Sequence, residues 1–352
     1  MTLVDVAQAA GVSLATASRT LNGSTRHVRP DLRERVVTAA RRLHYSANLQ
    51  AQAMAKGHTT VIGLIVSDIA DPYFSSIAAG AIRAAEGQGA VVTIGCTFGR
   101  AERELEYVTS LRGQRAQAAV LVGSRVTDDR LLHALEAELA SFEEDGGRVA
   151  MVSQHRLPFD TVAVENRAGA QALAEQLTGL GYRRFAVLGG PGDVLTARER
   201  VGGFREGLAA SGVELPDTHV VPGPFSRDGG YEAMLDVLAQ LPDVECVFAV
   251  NDVMAVGAMA ALRHRGVRLP EDVAVAGFDD IATLRDVTPS LTTVGLPLEA
   301  LGEDALDLVL QPAAGTPRLL QVRGEVAVRA STPPRPLPPS LAGDFSRRQP
   351  PG

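Results

Sequence analysis

The apolar residues of this chain follow one spacing up to about residue 58 and a different spacing after it. In the first sixty residues they recur every three or four positions in short runs between turn residues, which predicts a few short helices. After residue 58, short apolar runs alternate with amphipathic stretches, which predicts parallel strands connected by helices. The chain of 352 residues therefore combines a small all-α head with a larger α/β body.

Capping and turn residues divide the head into three predicted helices. Thr2 and Asp5 have the spacing of a capping box at the start of the first helix, and Gly11 supplies the left-handed residue that ends it. Ser13 suits the cap of a second helix that runs to about residue 21, and Pro30 suits the first turn of a third helix. The head thus begins with a helix, a Gly-Val-Ser turn and a second helix.

A helix, a tight turn and a second helix form the geometry in which DNA-binding proteins place the second helix in the major groove. Arg19 on that helix can donate two hydrogen bonds to guanine, and Leu14 can contact a thymine methyl group. Ser13 and Thr16 are expected to anchor phosphates. A generic three-helix interaction module has the same periodicity and is the alternative on pattern alone. The residues that share the outward face are Leu14, Ala15, Ser18 and Arg19.

Charge is distributed unevenly between the head and the body. The whole chain has 34 basic and 41 acidic residues, a net charge of −7, which by itself argues against a nucleic-acid binder. Residues 1–60, however, contain 8 Arg or Lys against 3 Asp or Glu, and the remaining residues contain 26 against 38. A cationic head on an anionic body favours a head that approaches phosphates, with chance clustering of surface arginines as the alternative.

The body alternates predicted strands and helices in the order typical of parallel sheets. The predicted strands are Val61 to Val66, Ala90 to Cys96, Ala119 to Val122, Val149 to Val152, Phe185 to Leu188, Val247 to Val250 and Val273 to Ala276. The predicted helices cover 75–87, 101–112, 128–140, 168–180, 200–211, 228–240, 254–265 and 298–310. About 270 residues are too many for one doubly wound sheet, so we predict two lobes with a cleft.

Several polar residues follow predicted strands, at the sheet edge where ligand sites of open α/β folds form. Asp68, Asn251 and Asp279 each follow an apolar strand, and Arg200 follows a GGPGD loop. Each of them also has an ordinary explanation as a helix cap or ion-pair partner. Their convergence on the strand ends favours a ligand-binding cleft. Further polar residues near these positions are Arg198, Asp252 and Asp280.

The sequence contains no clear catalytic, metal-binding or membrane-spanning motif. LGGPGDVLTARER is only superficially similar to a phosphate loop because no Lys-Ser/Thr follows it, and no nucleophile elbow occurs. The seven histidines have no metal-ligand spacing, and Cys96 and Cys246 lie in separate apolar runs that suit buried thiols. We expect no enzyme, no metal and no cofactor. In the absence of a signal peptide or a long apolar run, we expect a cytoplasmic protein that does not enter the membrane.

Several ordered motifs make the chain similar to LacI/GalR-family bacterial transcription regulators. The head carries TLVDVAQAAGVSLATASRTLNG followed by VRPDLRERVVTAARRLHYSAN, and the body carries IGLIVSDIADPYFSSIAAGAI, RERVGGF, VFAVNDVMAVGAM and VAVAGFDDIATLRDVTPSLTTV. The resemblance extends to about residue 330. It implies an all-α helix-turn-helix headpiece joined to a two-lobed α/β body with parallel sheets, like the periplasmic sugar-binding proteins. It also implies a homodimer or a tetramer.

The resemblance divides the chain into three parts. The DNA-binding domain is expected at 1–57 and the effector-binding, dimerising domain at 60–330. Within that domain, the N-lobe is expected at about 60–158 plus 293–318, and the C-lobe at about 159–292 plus 319–330. The proline-rich segment 331–352 is expected to be a disordered tail.

In the family, the segment that corresponds to 48–56 becomes a hinge helix on operator DNA and inserts a leucine into a minor-groove step. Met54 occupies that leucine position, and its apolar thioether can act as the wedge. Gln52 and Ala47 stand where arginine and proline are usual. The resemblance assigns DNA contacts to Ser13, Leu14, Ala15, Thr16, Ser18, Arg19, Asn22, Asn48, Ala51 and Met54.

The resemblance also assigns an effector site to the cleft. An arginine, an amide and a carboxylate around aromatic side chains suit a polyhydroxyl ring, because paired hydrogen bonds bind the hydroxyls while an aromatic ring covers the apolar face. Gln154 stands where sugar-binding members often have aspartate, which leaves a nucleoside, a polyol or a modified sugar open. The expected effector-binding residues are Asp68, Tyr73, Phe74, Gln154, Arg200, Phe225, Asn251 and Asp279.

The predicted function is a sequence-specific transcriptional repressor in the cytoplasm, associated with the nucleoid. Its affinity for a pseudo-palindromic operator in double-stranded DNA is expected to depend on a small-molecule effector, with a sugar or sugar derivative as the leading class. One alternative is an activator or dual regulator of the same fold that responds to a nucleoside or polyol. The other is a sugar-binding protein that does not regulate DNA.

Overall fold

Three helices form the head of the computed structural model, which describes residues 1–21, 28–45 and 59–335. The helices are α1 (Leu3–Ala10), α2 (Leu14–Leu21) and α3 (Pro30–Arg42). The predicted capping box is present, since Thr2 N donates to Asp5 Oδ2 over 2.7 Å and Asp5 N donates to Thr2 Oγ1 over 3.4 Å. Gly11 follows α1 with a φ of 61°, in the left-handed region that suits glycine.

Small side chains hold the head helices together. Each helix contributes to one buried cluster, α1 through Val6, α2 through Ala17 and α3 through Val36, and alanines fill most of the remaining positions. Ser13 Oγ accepts a hydrogen bond from Thr16 N over 3.1 Å and caps α2 as predicted. Because Ala17 is buried against the other helices, the opposite face of α2 points to solvent.

A six-stranded sheet forms the centre of the first lobe, which is called the N-lobe below. Its strands are β1 (Val61–Val66), β2 (Val91–Cys96), β3 (Ala118–Val122), β4 (Arg148–Val152), β5 (Asp160–Val164) and β11 (Leu319–Val322). They lie in the order β11-β5-β4-β3-β1-β2, and all neighbouring pairs are parallel. In this register Ile62 of β1 lies opposite Val92 of β2 and Ala118 of β3.

A four-stranded parallel sheet forms the centre of the second lobe, the C-lobe. Its strands are β6 (Phe185–Gly190), β7 (Val220–Pro222), β8 (Cys246–Ala249) and β9 (Ala274–Ala276), in the order β7-β6-β8-β9. The central strands β6 and β8 are buried along their whole length, as expected for parallel strands covered by helices on both faces. The predicted α/β body with parallel sheets is confirmed.

Eight helices of the described body cover the two sheets. They are α4 (Pro72–Glu86), α5 (Ala101–Gly113), α6 (Asp129–Glu144), α7 (Asn166–Gly179), α8 (Leu195–Ala210), α9 (Arg227–Gln240), α10 (Asp252–Arg265) and α11 (Leu298–Leu310). α7 and α8 approach so closely that a side-chain carbon at Gly203 would lie 2.0 Å from the carbonyl oxygen of Arg167. None of the described helices is long and apolar enough to span a membrane.

The chain changes lobes later than the sequence suggested. The C-lobe was expected to include 159–292 and 319–330, but β5 and β11 both belong to the N-lobe sheet, where Leu319 lies opposite Thr161. A short antiparallel ladder of β10 (Thr293–Gly295) and β12 (Glu325–Ala327) lies outside both sheets. The expected boundaries put two strands, β5 and β11, in the wrong lobe, and neither of them was among the strands predicted from the spacing of apolar residues.

Residues 331–335 are packed against the C-lobe. The prediction of a disordered tail from Ser331 onward is therefore wrong for these five residues. Ser331 is fully buried; its Oγ donates to Val275 O over 2.7 Å and accepts from Thr292 N over 2.8 Å. Tyr182 Oη donates to Pro333 O over 2.8 Å. The composition of this segment is proline-rich, but backbone and side-chain hydrogen bonds fix its first five residues. Residues 336–352 lie outside the described residues.

We predict that Ser331→Ala destabilises the body by about 1–3 kcal/mol, because it leaves the buried Thr292 N–H and Val275 carbonyl without this partner. Urea unfolding followed by circular dichroism measures the change. Ser290→Ala is the matched control, since the Ser290 hydroxyl is exposed and accepts from Ala330 N over 3.3 Å. The control should lose less than about 0.5 kcal/mol. Equal losses in the two variants would contradict the packed role of Ser331.

Candidate functional site

The outward face of α2 has the composition that the sequence predicted for a DNA-reading helix. Leu14 is 49% exposed although it is a large apolar residue, and Ala15 and Arg19 are exposed beside it. The Ser13 and Thr16 hydroxyls lie 2.8 Å apart at the start of the helix. An exposed leucine next to an arginine on a capped helix suits contact with base edges.

The head also contains cations with structural partners. Arg35 Nη2 donates to Gly11 O over 3.1 Å and so holds the turn between α1 and α2. Arg29 Nη2 lies 3.1 Å from Asp31 Oδ2 at the start of α3. Not every arginine of the cationic head is therefore directed at DNA. The predicted DNA contacts Asn22, Asn48, Ala51 and Met54, and the hinge segment 48–56, lie outside the described residues.

One cavity of about 520 Å³ lies between the two lobes of the body. Four predicted effector residues reach it from the N-lobe, at the ends of β1 and β4 and the start of α4, and four reach it from the C-lobe. All eight predicted residues line this single cavity: Asp68, Tyr73, Phe74, Gln154, Arg200, Phe225, Asn251 and Asp279. The convergence expected from the strand ends is therefore present in the fold.

Arg200 lies at the C-lobe wall of the cavity, and each nitrogen of its guanidinium group has one protein partner. Nε donates to Asn166 Oδ1 over 2.9 Å, Nη1 donates to Val250 O over 2.7 Å, and Nη2 lies 2.8 Å from Asp279 Oδ1. The guanidinium carbon lies 3.8 Å from the centre of the Phe278 ring. The side chains of Arg200 and Asp279 are both only 4% exposed, so this ion pair is shielded from water.

Asp279 combines a strained backbone with an unusual charge environment. Its φ of 122° is rare for a residue with a side chain, and such strain is often found at binding sites. Burial raises the pKa of Asp279 to about 8, against the opposing effect of Arg200, and the nearby Asp252 raises it further. Burial also raises the pKa of Tyr73 on the facing N-lobe wall. Asp279 can therefore present a carboxyl proton as well as a carboxylate to a bound molecule.

Gln154 lines the cavity, but protein groups of both lobes hold its amide. Its Oε1 accepts from Arg125 N over 2.9 Å and from Ser124 Oγ over 3.2 Å in the N-lobe. Its Nε2 donates to Thr196 Oγ1 over 2.9 Å and to Glu199 Oε2 over 3.2 Å in the C-lobe. Gln154 thus ties the lobes together across the cleft.

Three polar residues near the strand ends do not line the cavity, and the structure gives each a local task. Asp252 is fully buried, accepts from Thr293 Oγ1 over 2.7 Å, and has a pKa that burial raises to about 6. Asp280 Oδ1 lies 2.7 Å from Arg329 Nη1, and Arg198 Nε donates to Gly192 O over 2.7 Å. For these residues the explanation as structural partners is correct.

Several residues of the cavity wall were not predicted from the sequence. Arg125 follows β3 at the same sheet edge and forms a two-pronged ion pair with Glu104, with Nη1 to Oε2 at 2.7 Å and Nη2 to Oε1 at 2.8 Å. Asn166 begins α7 after β5, and Asp71 caps α4. The strand-end rule would have found Arg125, because the strand before it had been recognised. Within the described ranges, no three His, Cys, Asp or Glu side chains form a group that could hold a metal ion.

Two protein-family models match the chain. Residues 2–48 match the family described as bacterial regulatory proteins, lacI family. Residues 59–326 match the family described as periplasmic binding proteins and sugar binding domain of LacI family. The matched ranges correspond to the three-helix head and to the two-lobed body.

Known regulators resemble the chain over most of its length. The HTH-type transcriptional regulator CelR of Thermobifida fusca is 34% identical over 320 residues, which cover 89% of this chain and 92% of CelR. The HTH-type transcriptional regulator GalS of Salmonella typhimurium is 32% identical over 322 residues, which cover 90% of this chain and 91% of GalS. These relatives are transcriptional regulators and not enzymes.

Solved structures resemble the fold as a whole. The Lac repressor dimer bound to operator and the anti-inducer ONPF has a TM-score of 0.81 at 28% identity, covering 95% of this chain and 99% of that chain. The complex of CelR with cellobiose has a TM-score of 0.67 at 32% identity, covering 94% of this chain and 99% of that chain.

The raised pKa of Asp279 predicts a pH-dependent stability. Folding favours the protonated carboxyl, because its pKa rises from about 4 in the unfolded chain to about 8 in the folded one. Stability from this group is therefore complete below about pH 4 and is lost as the pH rises through about 8. As the pH rises from about 5 to about 8, the free energy of unfolding of Asp279→Asn should fall less than that of the unchanged protein.

Urea unfolding at several pH values measures these slopes. Asp280→Asn is the matched control, because it removes the neighbouring carboxylate, which pairs with Arg329 and does not line the cavity. The control should change the slope less than Asp279→Asn does, because Asp280 is only the smallest cause of the raised pKa of the nearby Asp252. If Asp279→Asn keeps the slope of the unchanged protein, Asp279 is ionised over the whole range and Arg200 outweighs burial.

Proposed function

The chain belongs to the LacI family of bacterial regulatory proteins, and from this premise we propose a repressor that binds operator DNA through its head and a carbohydrate effector between its lobes. The observation that carries the proposal is the pairing of an outward Leu14–Arg19 face on a capped helix with a polar interlobe cavity. A DNA-reading surface and a ligand cavity in one chain are what a ligand-controlled regulator requires.

The DNA-binding part of the proposal rests on the geometry of α2. Ala17 packs inward and fixes the rotation of the helix, so Arg19 and Leu14 can enter the major groove together. We infer that Arg19 donates to a guanine and that Leu14 contacts a thymine methyl group. Ser13 and Thr16, at the start of the helix, are then close to the phosphate backbone. The same set extends to Ala15, Ser18 and Asn22 and to the hinge residues Asn48, Ala51 and Met54.

The effector part of the proposal rests on the chemistry of the cavity. Asn251 uses its side-chain oxygen to cap α10, accepting from Met254 N over 2.9 Å, which leaves the amide nitrogen to donate to a ligand. Asp279 supplies a carboxyl group, and Tyr73 and Phe225 supply ring faces. Hydroxyl groups on a ring with an apolar face match this combination, and CelR, a relative of this chain, is known in complex with cellobiose. A nucleoside or a polyol is the second candidate class.

The coupling between effector and DNA uses the relative position of the lobes. An effector that contacts Arg200 and Asp279 on one wall and Asp68 and Tyr73 on the other favours one interlobe arrangement. Such a preference changes the affinity for DNA. DNA binding in turn changes the affinity for the effector by the same factor. If effector binding causes the protein to release DNA, the protein is a repressor and the effector is its inducer. An activator or dual regulator uses the same coupling at a different operator position.

We infer a homodimer on a pseudo-palindromic operator, because one head offers one reading helix for one half-site. The Lac repressor, which shares this fold, is known as a dimer bound to operator. A tetramer is the alternative assembly to the homodimer. Since its target is chromosomal DNA, we place the protein in the cytoplasm at the nucleoid.

We predict that Arg19→Ala weakens binding to the specific operator by about 1–3 kcal/mol and leaves non-specific binding nearly unchanged, because a base contact carries sequence information. Gel shifts on duplexes selected from a random pool, compared with scrambled duplexes, measure both affinities. Arg130→Ala, an exposed arginine on α6 of the body, is the control and should leave both unchanged. An equal loss on selected and scrambled DNA would refute base reading by Arg19.

We predict that Asp279→Asn keeps operator binding but loses the effector response, since the carboxyl group lies in the ligand cavity and not in the head. The probe is a panel of monosaccharides and disaccharides added to the gel shift on the selected operator. Asp280→Asn should respond like the unchanged protein. A normal carbohydrate response in Asp279→Asn would remove Asp279 from the effector site.

A further inference from the structure

The charged side chains that line the cavity between the lobes are mostly acidic. The acidic residues of the lining are Asp68, Asp71, Glu102, Glu104, Asp193 and Asp279, and the basic ones are Arg100, Arg125 and Arg200. Arg200 pairs with Asp279. Arg125 pairs with Glu104, so these four groups neutralise one another. Arg100, Glu102 and Asp193 are exposed, where water and salt screen their charges. The half-buried charges that remain, Asp68 and Asp71, are both negative.

These two carboxylates lie on one tight turn at the carboxyl end of β1. The turn is closed by Asp71 N, which donates to Asp68 O over 3.2 Å. Asp68 Oδ1 accepts from Ala70 N over 2.9 Å, and Asp71 Oδ1 accepts from Tyr73 N over 2.9 Å. In the described part of the chain, the second oxygen of each carboxylate accepts no hydrogen bond, and neither group has an ion-pair partner. Each of them can therefore accept a hydrogen bond from a ligand.

The acidic groups of the cavity also repel one another. Burial raises the pKa of the Asp71 carboxyl, and the charge of Asp68 adds to this rise. Burial is likewise the main cause of the raised pKa values of Asp279 and Tyr73, and the charge of Asp71 adds to both. Asp71 therefore acts across the cavity on the C-lobe wall. A cation bound among these groups offsets the repulsion and favours the ionised carboxylates.

The lining favours an organic ammonium group over a metal ion. No three His, Cys, Asp or Glu side chains of the described residues form a group that could hold a metal ion. The rings of Tyr73 and Phe225 line the same cavity, and an aromatic face attracts an ammonium group as well as the apolar face of a sugar ring. An amine carried on a sugar ring fits both properties of the lining.

We propose that the effector is an amino sugar, whose protonated amine donates hydrogen bonds to Asp68 and Asp71 while its ring hydroxyls face Asn251 and Asp279. This inference rests on the proposed function, because it assumes that a carbohydrate occupies the cleft. An ammonium group has three donors and no acceptor, which matches two carboxylates that each have an oxygen to offer. A neutral sugar fills the same cleft but leaves the two negative charges uncompensated.

Matched sugars that differ in one substituent test the proposal. The probes are glucose, galactose and mannose, their amino-deoxy derivatives with the amine on carbon two or carbon six, and the N-acetylated forms of these amines, titrated into the full chain by calorimetry. For the ring that binds, one amino derivative should bind at least about tenfold more tightly than its neutral parent, because a charged hydrogen bond replaces a neutral one. The N-acetylated form, which is neutral, should lose this gain. Added salt should weaken binding of the amine more than binding of the parent.

Asp71→Asn removes one of the two charges and keeps the local structure, because the asparagine oxygen can still accept from Tyr73 N and cap α4. Asp128→Asn is the matched control. Asp128 caps α6 in the same way, accepting from Arg130 N over 2.8 Å, and does not line the cavity. Both variants should shift the selected operator without sugar as the unchanged protein does, which shows that they fold.

We expect Asp71→Asn to reduce the ratio of amino-sugar to parent-sugar affinity by at least about threefold, since one carboxylate is left, and Asp128→Asn to keep the full ratio. The double variant Asp68→Asn with Asp71→Asn should bring the ratio to nearly one. Equal affinity for amines and their neutral parents in the unchanged protein, or an unchanged ratio in Asp71→Asn, would overturn the amino-sugar proposal and leave a carbohydrate effector in place. Failure of every sugar to bind a chain that still shifts its operator would overturn the carbohydrate effector itself.

Discussion

The cleft of this protein is organised by one buried arginine. Arg200 has a partner on each of three segments: it donates to Asn166 at the start of α7 and to the Val250 carbonyl after β8, and it forms an ion pair with Asp279 after β9. A buried guanidinium group is costly unless its donors are satisfied, so these three segments must stay in place around it. The C-lobe wall is consequently preformed, and a ligand does not have to order it.

The two lobes are joined across the cleft by single hydrogen bonds near the start of the helix that carries Arg200. Leu195 N donates to Arg125 O over 2.9 Å and Thr127 N donates to Asp193 O over 3.0 Å, and Gln154 adds its side-chain bonds across the same gap. Single hydrogen bonds of this kind each contribute about 1 kcal/mol, because water replaces them when they break. Because the C-lobe wall is preformed and the hydrogen bonds between the lobes are weak, the lobes can shift relative to each other without unfolding either sheet.

The spacing of residues predicted the head, the parallel body and the strand-end residues of the cavity for physical reasons, whereas Tyr73, Phe74, Gln154 and Phe225 came only from the family resemblance. Ala17 and Arg19 separate onto two faces because two residues turn a helix of 3.6 residues per turn by about 200°, and Asn251 and Asp279 both reach the cavity because parallel strands end at one edge. The spacing of apolar residues did not predict the strand Asp160–Val164, which is held in place by pairing with strands distant in the chain. It also missed Glu104, which lies on a helix, lines the cavity and pairs with Arg125.

The distribution of charge determines where DNA contact is possible. The residues after 60 contain 38 acidic side chains against 26 basic ones, so the lobes are repelled by a phosphate backbone and the head provides the attraction. The chain between the described head and body, residues 46–58, is their only covalent connection within one chain. A signal from the cleft must therefore pass along this segment or through a neighbouring copy.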